Sequence, residues 1–181
     1  MLINDELTIR EALPSDAALL GEWWRDGEVM QFSGYPHGLV ITDEKIEKQI
    51  LSCSDDTFKL LIIEVAGNPI GEMSYHNMGD IGGKTAQIGI KICNASMREK
   101  GYGTRFLLML ADELFAVEDF MRIILEVDPE NYRARYVFEK IGFKEKNIRQ
   151  DSWINQVGEL CSAVDYELKR DDFFANSGAV L

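Results

Sequence analysis

Arg98-Glu99-Lys100-Gly101-Tyr102-Gly103-Thr104 decides how this chain is read. It lies between an alternating, strand-like run, Ala86-Gln87-Ile88-Gly89-Ile90-Lys91-Ile92, and a helix-like run from Arg105 to Phe115. A glycine-rich turn from a strand into a helix aims several backbone N–H groups the same way, beside the positive end of the helix dipole. Such a turn binds phosphate. Gly101 and Gly103 have no Cβ to hold a ligand off, and Arg98 and Lys100 bring positive charge. A connector that merely packs a helix onto a sheet has the same pattern, so a second cluster has to carry the choice.

That cluster follows further along. Ile123-Ile124-Leu125-Glu126-Val127 reads as a strand, then come Asp128-Pro129-Glu130-Asn131 and Ala134-Arg135-Tyr136-Val137-Phe138-Glu139-Lys140-Ile141-Gly142-Phe143. Arg-x-x-Gly-x-Gly at a strand-to-helix turn, followed by Asn-x-x-Ala-x-x-x-(aromatic)-Glu-Lys-x-Gly-Phe, resembles the GCN5-related N-acetyltransferase (GNAT) family. The opening, Leu7-Thr8-Ile9-Arg10-Glu11-Ala12 and then Ser15-Asp16-Ala17, is similar to the subgroup that includes ribosomal-protein N-terminal acetyltransferases. The resemblance spans residues 5–170. It implies an α/β fold with a mixed, mostly antiparallel central sheet, splayed central strands and flanking helices. The strands ending near Cys93 and Val127 are expected to part and admit the pantetheine arm of acetyl-CoA. The expected organisation is one N-acetyltransferase domain over residues 1–181, with a loose tail at 171–181.

The resemblance also implies a reaction, acetyl transfer from the coenzyme A sulfur to an amine nitrogen by direct attack, with acetyl-CoA as co-substrate and no metal. The backbone amides of Arg98, Glu99, Lys100, Gly101, Tyr102, Gly103 and Thr104 are expected on the pyrophosphate. A backbone N–H from Ile90, Lys91 or Ile92 is expected to polarise the thioester carbonyl. Asn131 stands where the family places an asparagine on the cofactor arm; the other reading is helix capping, for which Asp128 with Pro129 one position later is itself a good helix start. Phe138 stands beside the cofactor where a tyrosine often acts as the general acid, and it has no proton to give. Tyr132 is the nearest substitute. A missing acid slows the reaction without abolishing it, because a thiolate is a fairly stable leaving group.

The base is open in the same way. Gln87 occupies a position where relatives often carry glutamate. Glu72 and His76, at even spacing on the preceding strand, project from one face and either can take the ammonium proton. The ordinary reading of Glu72 is a solvent-exposed strand position, and that of His76 an ordinary partly buried or surface histidine. The substrate wall is expected from Trp24, Phe32 and Tyr35, with Trp23, His37 and Trp153 nearby, and from Asp80 on the next loop. Aromatic rings there can hold an ammonium by cation–π contact. At least one of Trp23 and Trp24 is expected to be core. A protein N-terminus, a polyamine, an aminoglycoside and a small metabolite all fit this wall. A noncatalytic acyl-CoA-binding module is the reading from another class, favoured by Phe138 and Gln87. A nucleotide P-loop fails, because Lys100 precedes Gly101 and no Gly-Lys-Ser/Thr follows.

Composition sets the outer bounds. The chain has 181 residues, 46% hydrophobic and 28% charged, which is ordinary for one globular domain. A formal charge of −12 argues against nonspecific nucleic-acid binding and is compatible with a cationic partner. No apolar run is long enough to cross a bilayer, and residues 1–6 lack the features of a secretory signal. The 3 cysteines, Cys53, Cys93 and Cys161, are odd in number and widely spaced. That pattern fits neither a disulfide framework nor a zinc site, and it suggests a cytoplasmic setting. A homodimer is compatible with the family resemblance.

The expected element order is βααβββαβαββ. It begins with a strand at residues 7–12 and a helix capped by Ser15 running through Trp23 and Trp24. An irregular stretch at 27–38 and a helix capped by Thr42 follow. Next come a hairpin of strands at 57–65 and 69–78, a glycine-rich loop at 79–83 and a strand at 84–93. Phe106, Leu110 and Leu114 then fall on one helix face, which should pack on the sheet. Two closing strands are expected near 143–153 and 159–168.

Overall fold

The computed structural model describes residues 1–52, 57–79 and 84–177. Its strands are β1 (Leu2–Asn4), β2 (Leu7–Glu11), β3 (Phe58–Val65), β4 (Asn68–Asn77), β5 (Thr85–Ile92), β6 (Arg122–Val127), β7 (Lys144–Ile154) and β8 (Leu160–Lys169). The helices are α1 (Ala17–Trp24), α2 (Gly27–Met30), α3 (Asp43–Ser52), α4 (Tyr102–Ala116), α5 (Tyr132–Ile141) and α6 (Arg170–Ser177). All the strands join one sheet in the order β1-β2-β3-β4-β5-β6-β8-β7. Every neighbouring pair is antiparallel except β5 with β6. This is the mixed, mostly antiparallel sheet that the sequence predicts.

The parallel pair is short. β5 and β6 match only at Thr85↔Arg122, Ala86↔Ile123 and Gln87↔Ile124. Beyond Gln87, β5 stays on β4 as far as Ile92, and beyond Ile124, β6 stays on β8 as far as Val127. The two strands therefore part where the resemblance places the cleft.

Two cores form on opposite sheet faces. On one, α4 buries Phe106, Leu107, Leu110, Leu114 and Phe115 against Leu61, Ile63, Met73, Ile88 and Ile123. On the other, α1 and α3 bury Leu20, Trp23, Ile46 and Ile50 around Ile62 and Cys93. The expected apolar side of α4 is thus the buried side. Thr42 does cap α3, accepting from the Lys45 N–H at 3.4 Å. Ser15 does not cap α1. Residues Pro14–Asp16 instead form a 3-10 turn, and the Asp16 carboxylate accepts the Leu13 N–H at 2.7 Å.

Three elements escape the sequence reading. β1 pairs back on β2 through a turn at Asp5, whose φ is 54°. The irregular stretch after Arg25 contains α2, capped by Asp26. The tail is not loose over its described part: α6 begins at Arg170, directly after β8, and buries Phe173 against Phe115 at 5.3 Å between ring centroids. Two apolar rings at 173–174 are too short a pattern to signal a helix by periodicity, yet burying one of them is enough to dock it.

The Asp16 turn is held by charge. Arg10 donates to both Asp16 oxygens, at 2.7 and 2.9 Å, and to Glu64 at 2.8 Å. Burial pushes the Asp16 carboxyl up, but the Arg10 guanidinium and the Leu13 N–H together hold it below its ordinary value. A depressed carboxyl stabilises the fold above its unfolded pKa, and that stability disappears as pH falls through the folded value. Asp16→Asn should therefore cost about 1–2 kcal/mol at pH 7. The gap from wild type should close as the pH falls through and below the ordinary carboxylate range, measured by urea denaturation at pH 7 and in acid.

Candidate active site

The turn before α4 is built to be open. Glu99 and Gly101 take left-handed backbone angles, with φ of 63° and 80°. Gly101 is the N-cap and no side chain caps the helix. The first helical bond runs from the Arg105 N–H to the Gly101 carbonyl at 3.2 Å. The amides of Tyr102, Gly103 and Thr104 therefore have no helical acceptor, as at every helix start. Among the described residues, chain neighbours and the helix's own nearby backbone apart, nothing lies within 4 Å of where a Cβ would stand on Gly101 or Gly103. The surface above the turn is clear for a ligand.

Charge around the turn is less mobile than the sequence suggests. The Arg98 side chain folds back, donating from Nε to the Ile92 carbonyl at 3.0 Å and from Nη2 to the Cys93 carbonyl at 3.3 Å. It straps the end of β5 and is not a free anion-binding arm. Glu99 pairs with Arg133 of α5 at 2.8 Å. Lys100 is exposed.

The β4–β5 ladder settles which amides face the cleft. Cys93 donates to the Ile70 carbonyl at 2.9 Å and Met78 to the Thr85 carbonyl at 2.8 Å. Antiparallel pairs alternate between bonded and non-bonded, so the register Glu72↔Lys91 turns the Lys91 N–H towards β4. The N–H groups of Ile90 and Ile92 point the other way, into the gap beside β6. Lys91 is thereby removed from the expected donors. The Ile92 carbonyl is taken by Arg98, which leaves Ile90 as the fully open backbone position.

Glu72 is the most unusual side chain nearby. It is 5% exposed, and with Thr85 it makes up the buried polar residues among those described. Trp24 Nε1–H donates to one carboxylate oxygen at 2.7 Å, and the Lys91 ammonium donates to the other at 2.8 Å. Glu72 is therefore no plain surface residue. Its neighbour Cys93 is buried, and burial followed by the Glu72 charge pushes that thiol well up. His76 projects from the same face but lies four residues along β4, roughly 13 Å away. It is exposed and meets Phe58 edge-on at 6.1 Å. The structure brings Trp24 to Glu72 and leaves His76 apart.

Other expected residues divide. Trp23 is core, as expected for one of the tryptophan pair. Phe32 and Tyr35 are exposed on the segment after α2. Asp80 and Cys53 lie outside the described residues. Asn131, not Asp128, caps α5: its Oδ1 accepts the Ala134 N–H at 3.2 Å. Tyr132 is 72% exposed, and no hydrogen bond orients its hydroxyl among the described residues. Phe138, expected against the cofactor, is 6% exposed and packs between Phe143 and Tyr166 at 5.8 and 6.0 Å. Its ring is core and offers a ligand almost no surface.

The hairpin tip between β7 and β8 closes on the segment after α2. Gln156 accepts from the His37 N–H at 3.1 Å and donates from its side chain to the Gly38 carbonyl at 2.9 Å. Its backbone N–H reaches the Gly34 carbonyl at 2.8 Å. A Cβ on Gly34 would fall 2.3 Å from Trp153, so the indole rests on that glycine. Sequence reasoning placed Trp153 beside this segment but missed Gln156, a hairpin-tip amide with no pattern around it. It also missed the side chain of Lys91, although the strand register would have set it opposite Glu72.

The chain matches the profile of the "Acetyltransferase (GNAT) domain" over residues 6–144. Aminoglycoside N(6')-acetyltransferase type 1 of Klebsiella pneumoniae and that of Serratia marcescens are each 27% identical to it over 153 residues. That covers 79% of this chain and 76% of each relative. Among solved structures, spermidine N-acetyltransferase from Vibrio cholerae in complex with CoA and spermine superposes with a TM-score of 0.84 at 19% identity. It covers 94% of this chain and 99% of its own. A GNAT-family acetyltransferase from Streptococcus pneumoniae superposes with a TM-score of 0.73 at 20% identity, covering 91% and 99%. The protein belongs to the GNAT acetyltransferase family, enzymes that use acetyl-CoA.

Gln156→Ala removes both side-chain bonds between the hairpin tip and residues 37–38. A cost of about 1–2 kcal/mol is expected in denaturant unfolding, with faster amide hydrogen exchange confined to residues 34–38.

Proposed function

We propose that the protein transfers the acetyl group of acetyl-CoA to the primary amine of a small cationic molecule. The observation that carries this reading is the buried Glu72 carboxylate, one strand from the open β5 edge and already paired with an ammonium. Relatives named for aminoglycosides and for spermidine support an amine of this kind. They favour it over the protein N-terminus that the opening stretch of sequence brought into view. The formal charge of −12 adds long-range attraction for a cation.

Acetyl-CoA fits the residues present. The uncapped start of α4, with free amides at residues 102–104 and clear space above Gly101 and Gly103, suits its pyrophosphate. The gap between β5 and β6 suits its extended arm, and Asn131, although its oxygen caps α5, keeps its Nδ2 for that arm. Acetyl-CoA supplies an acyl carbon bound to a good leaving thiolate. Ile90 N–H donates to the thioester oxygen and withdraws charge from that carbon. The Glu72 carboxylate accepts the ammonium proton, which frees the nitrogen lone pair. The nitrogen–carbon bond forms as the carbon–sulfur bond breaks. Among the described residues no hydrogen bond orients the exposed Tyr132 hydroxyl, so water protonates the thiolate while the new amide nitrogen gives up its second proton to water. Trp24 Nε1–H fixes the rotamer of Glu72.

Two substitutions test separate parts. Gly103 has an ordinary helical φ and no neighbour for a side chain to strike, so Gly103→Leu should fold at least as stably as wild type. Its affinity for CoA, measured by calorimetry, should fall at least tenfold; unchanged affinity removes the turn from the binding site. Glu72→Gln keeps the shape and removes the base. Turnover of an amine substrate should fall by ~10²–10⁴-fold, most severely at low pH, where the amine is fully protonated. A pH–rate profile matching wild type would exclude Glu72 as the base.

A further inference from the structure

The Lys91 side chain has no place in the roles assigned so far, yet it holds the one carboxylate on which they depend. We propose that Lys91 is a built-in stand-in for the substrate: its ammonium occupies the cation site of Glu72 in the resting enzyme, and the amino group of a cationic substrate takes its place. The inference rests on the reading of Glu72 as the group that receives the amine. It assigns Lys91 a specificity-determining role.

Four observations carry it. The Glu72 side chain is 6% exposed while that of Lys91 is 31% exposed, so the ammonium can withdraw into water and the carboxylate cannot. The Trp24 bond at 2.7 Å keeps Glu72 in position whichever cation faces its other oxygen. Lys91 lies next to Ile90 in β5, so the site it fills adjoins the backbone position expected to meet the thioester. Beside it on the same face is Gly89, where, among the described residues and its chain neighbours apart, a Cβ would meet Ser74 Oγ at 3.1 Å and nothing else within 4 Å. That glycine leaves room for an incoming chain, and the serine offers it a further acceptor.

The exchange also selects. Replacing one primary ammonium by another conserves the charge at Glu72. A neutral or anionic ligand that displaced Lys91 would leave a buried carboxylate unpaired, which is strongly unfavourable. The site therefore admits alkylammonium groups and rejects uncharged isosteres such as alcohols. Lys91 lowers the apparent affinity for the amine in return, since every substrate must compete with it.

The test is calorimetric titration of the CoA-loaded protein with spermidine as the alkylammonium probe, in wild type, Lys91→Met, Lys91→Arg and Glu72→Gln/Lys91→Met. Lys91→Met should bind spermidine about tenfold more tightly, equivalent to about 1.4 kcal/mol. Lys91→Arg, which keeps a competing cation, should show no gain, and the double variant should lose it. If Lys91→Met does not fold, Lys91→Gln carries the same comparison. Spermidine should also raise the melting temperature of the Lys91 variant more than that of wild type. Unchanged or weaker binding in the Lys91 variant, or an equal gain in the double variant, overturns the proposal. Binding and turnover separate the two claims. Thiol release with spermidine but no tightening would sink the exchange and leave acetyl transfer standing, whereas tightening through Glu72 without thiol release would do the reverse.

Discussion

The parting of β5 from β6 after Gln87↔Ile124 is the constraint on which the rest of the molecule depends. Each strand keeps its other partner, β4 for β5 and β8 for β6, so neither can bend back to close the gap. A sheet interrupted in its middle leaves backbone donors and acceptors facing nothing, and buried backbone groups left unpaired are costly. The chain satisfies one end itself: Arg98 reaches back to the carbonyls of Ile92 and Cys93. What remains open is the edge at Ile90, on the strand that leads through a short turn into the uncapped start of α4. A ligand with a diphosphate at one end and an amide-bearing arm at the other matches both openings at once.

The second constraint is electrostatic. Glu72 sits in the sheet face covered by α1 and α3, where water has little access; Lys91 balances its charge and Trp24 donates to its second oxygen. Removing one member of a buried ion pair typically costs ~3–5 kcal/mol. The carboxylate, its indole donor and its cation therefore behave as one unit. A free surface carboxylate would sample many rotamers; this one is oriented before any substrate arrives. The same packing buries Cys93 at the end of β5 and, with the Glu72 charge, pushes its thiol pKa up.

Much of this was legible from residues alone, for identifiable reasons. The glycine turn, the alternation of β5 and the apolar side of α4 are local patterns, and local patterns survive into the structure. The splay was implied by resemblance, since nothing in the spacing of Ile88, Ile90 and Ile92 says where β6 stops following. The site chemistry was harder. Phe138 has the spacing of a catalytic position but is packed by Phe143 and Tyr166, and packing is a tertiary property. Arg98 reads as a phosphate ligand because its type and position fit, whereas its length lets it strap the preceding strand. Asn131 matches both a cap and a ligand contact, and the cap is what its oxygen does. Lys91 was named for its backbone, and its side chain proved the informative part. β1 and α6 were missed because each carries too short a pattern to read: β1 has three residues, and α6 docks chiefly through Phe173.

Titration of the ¹⁵N-labelled protein with CoA, followed by backbone amide chemical shifts, tests the central claim most directly. The account predicts saturable shifts at Gly101, Tyr102, Gly103 and Thr104 together with Ile90, while amides of the hydrogen-bonded β3–β4 hairpin stay in place. Saturable shifts elsewhere with Ile90 and residues 101–104 unmoved, or none at millimolar CoA, would contradict it. In either case the open end of β5 would have to be explained as structure alone.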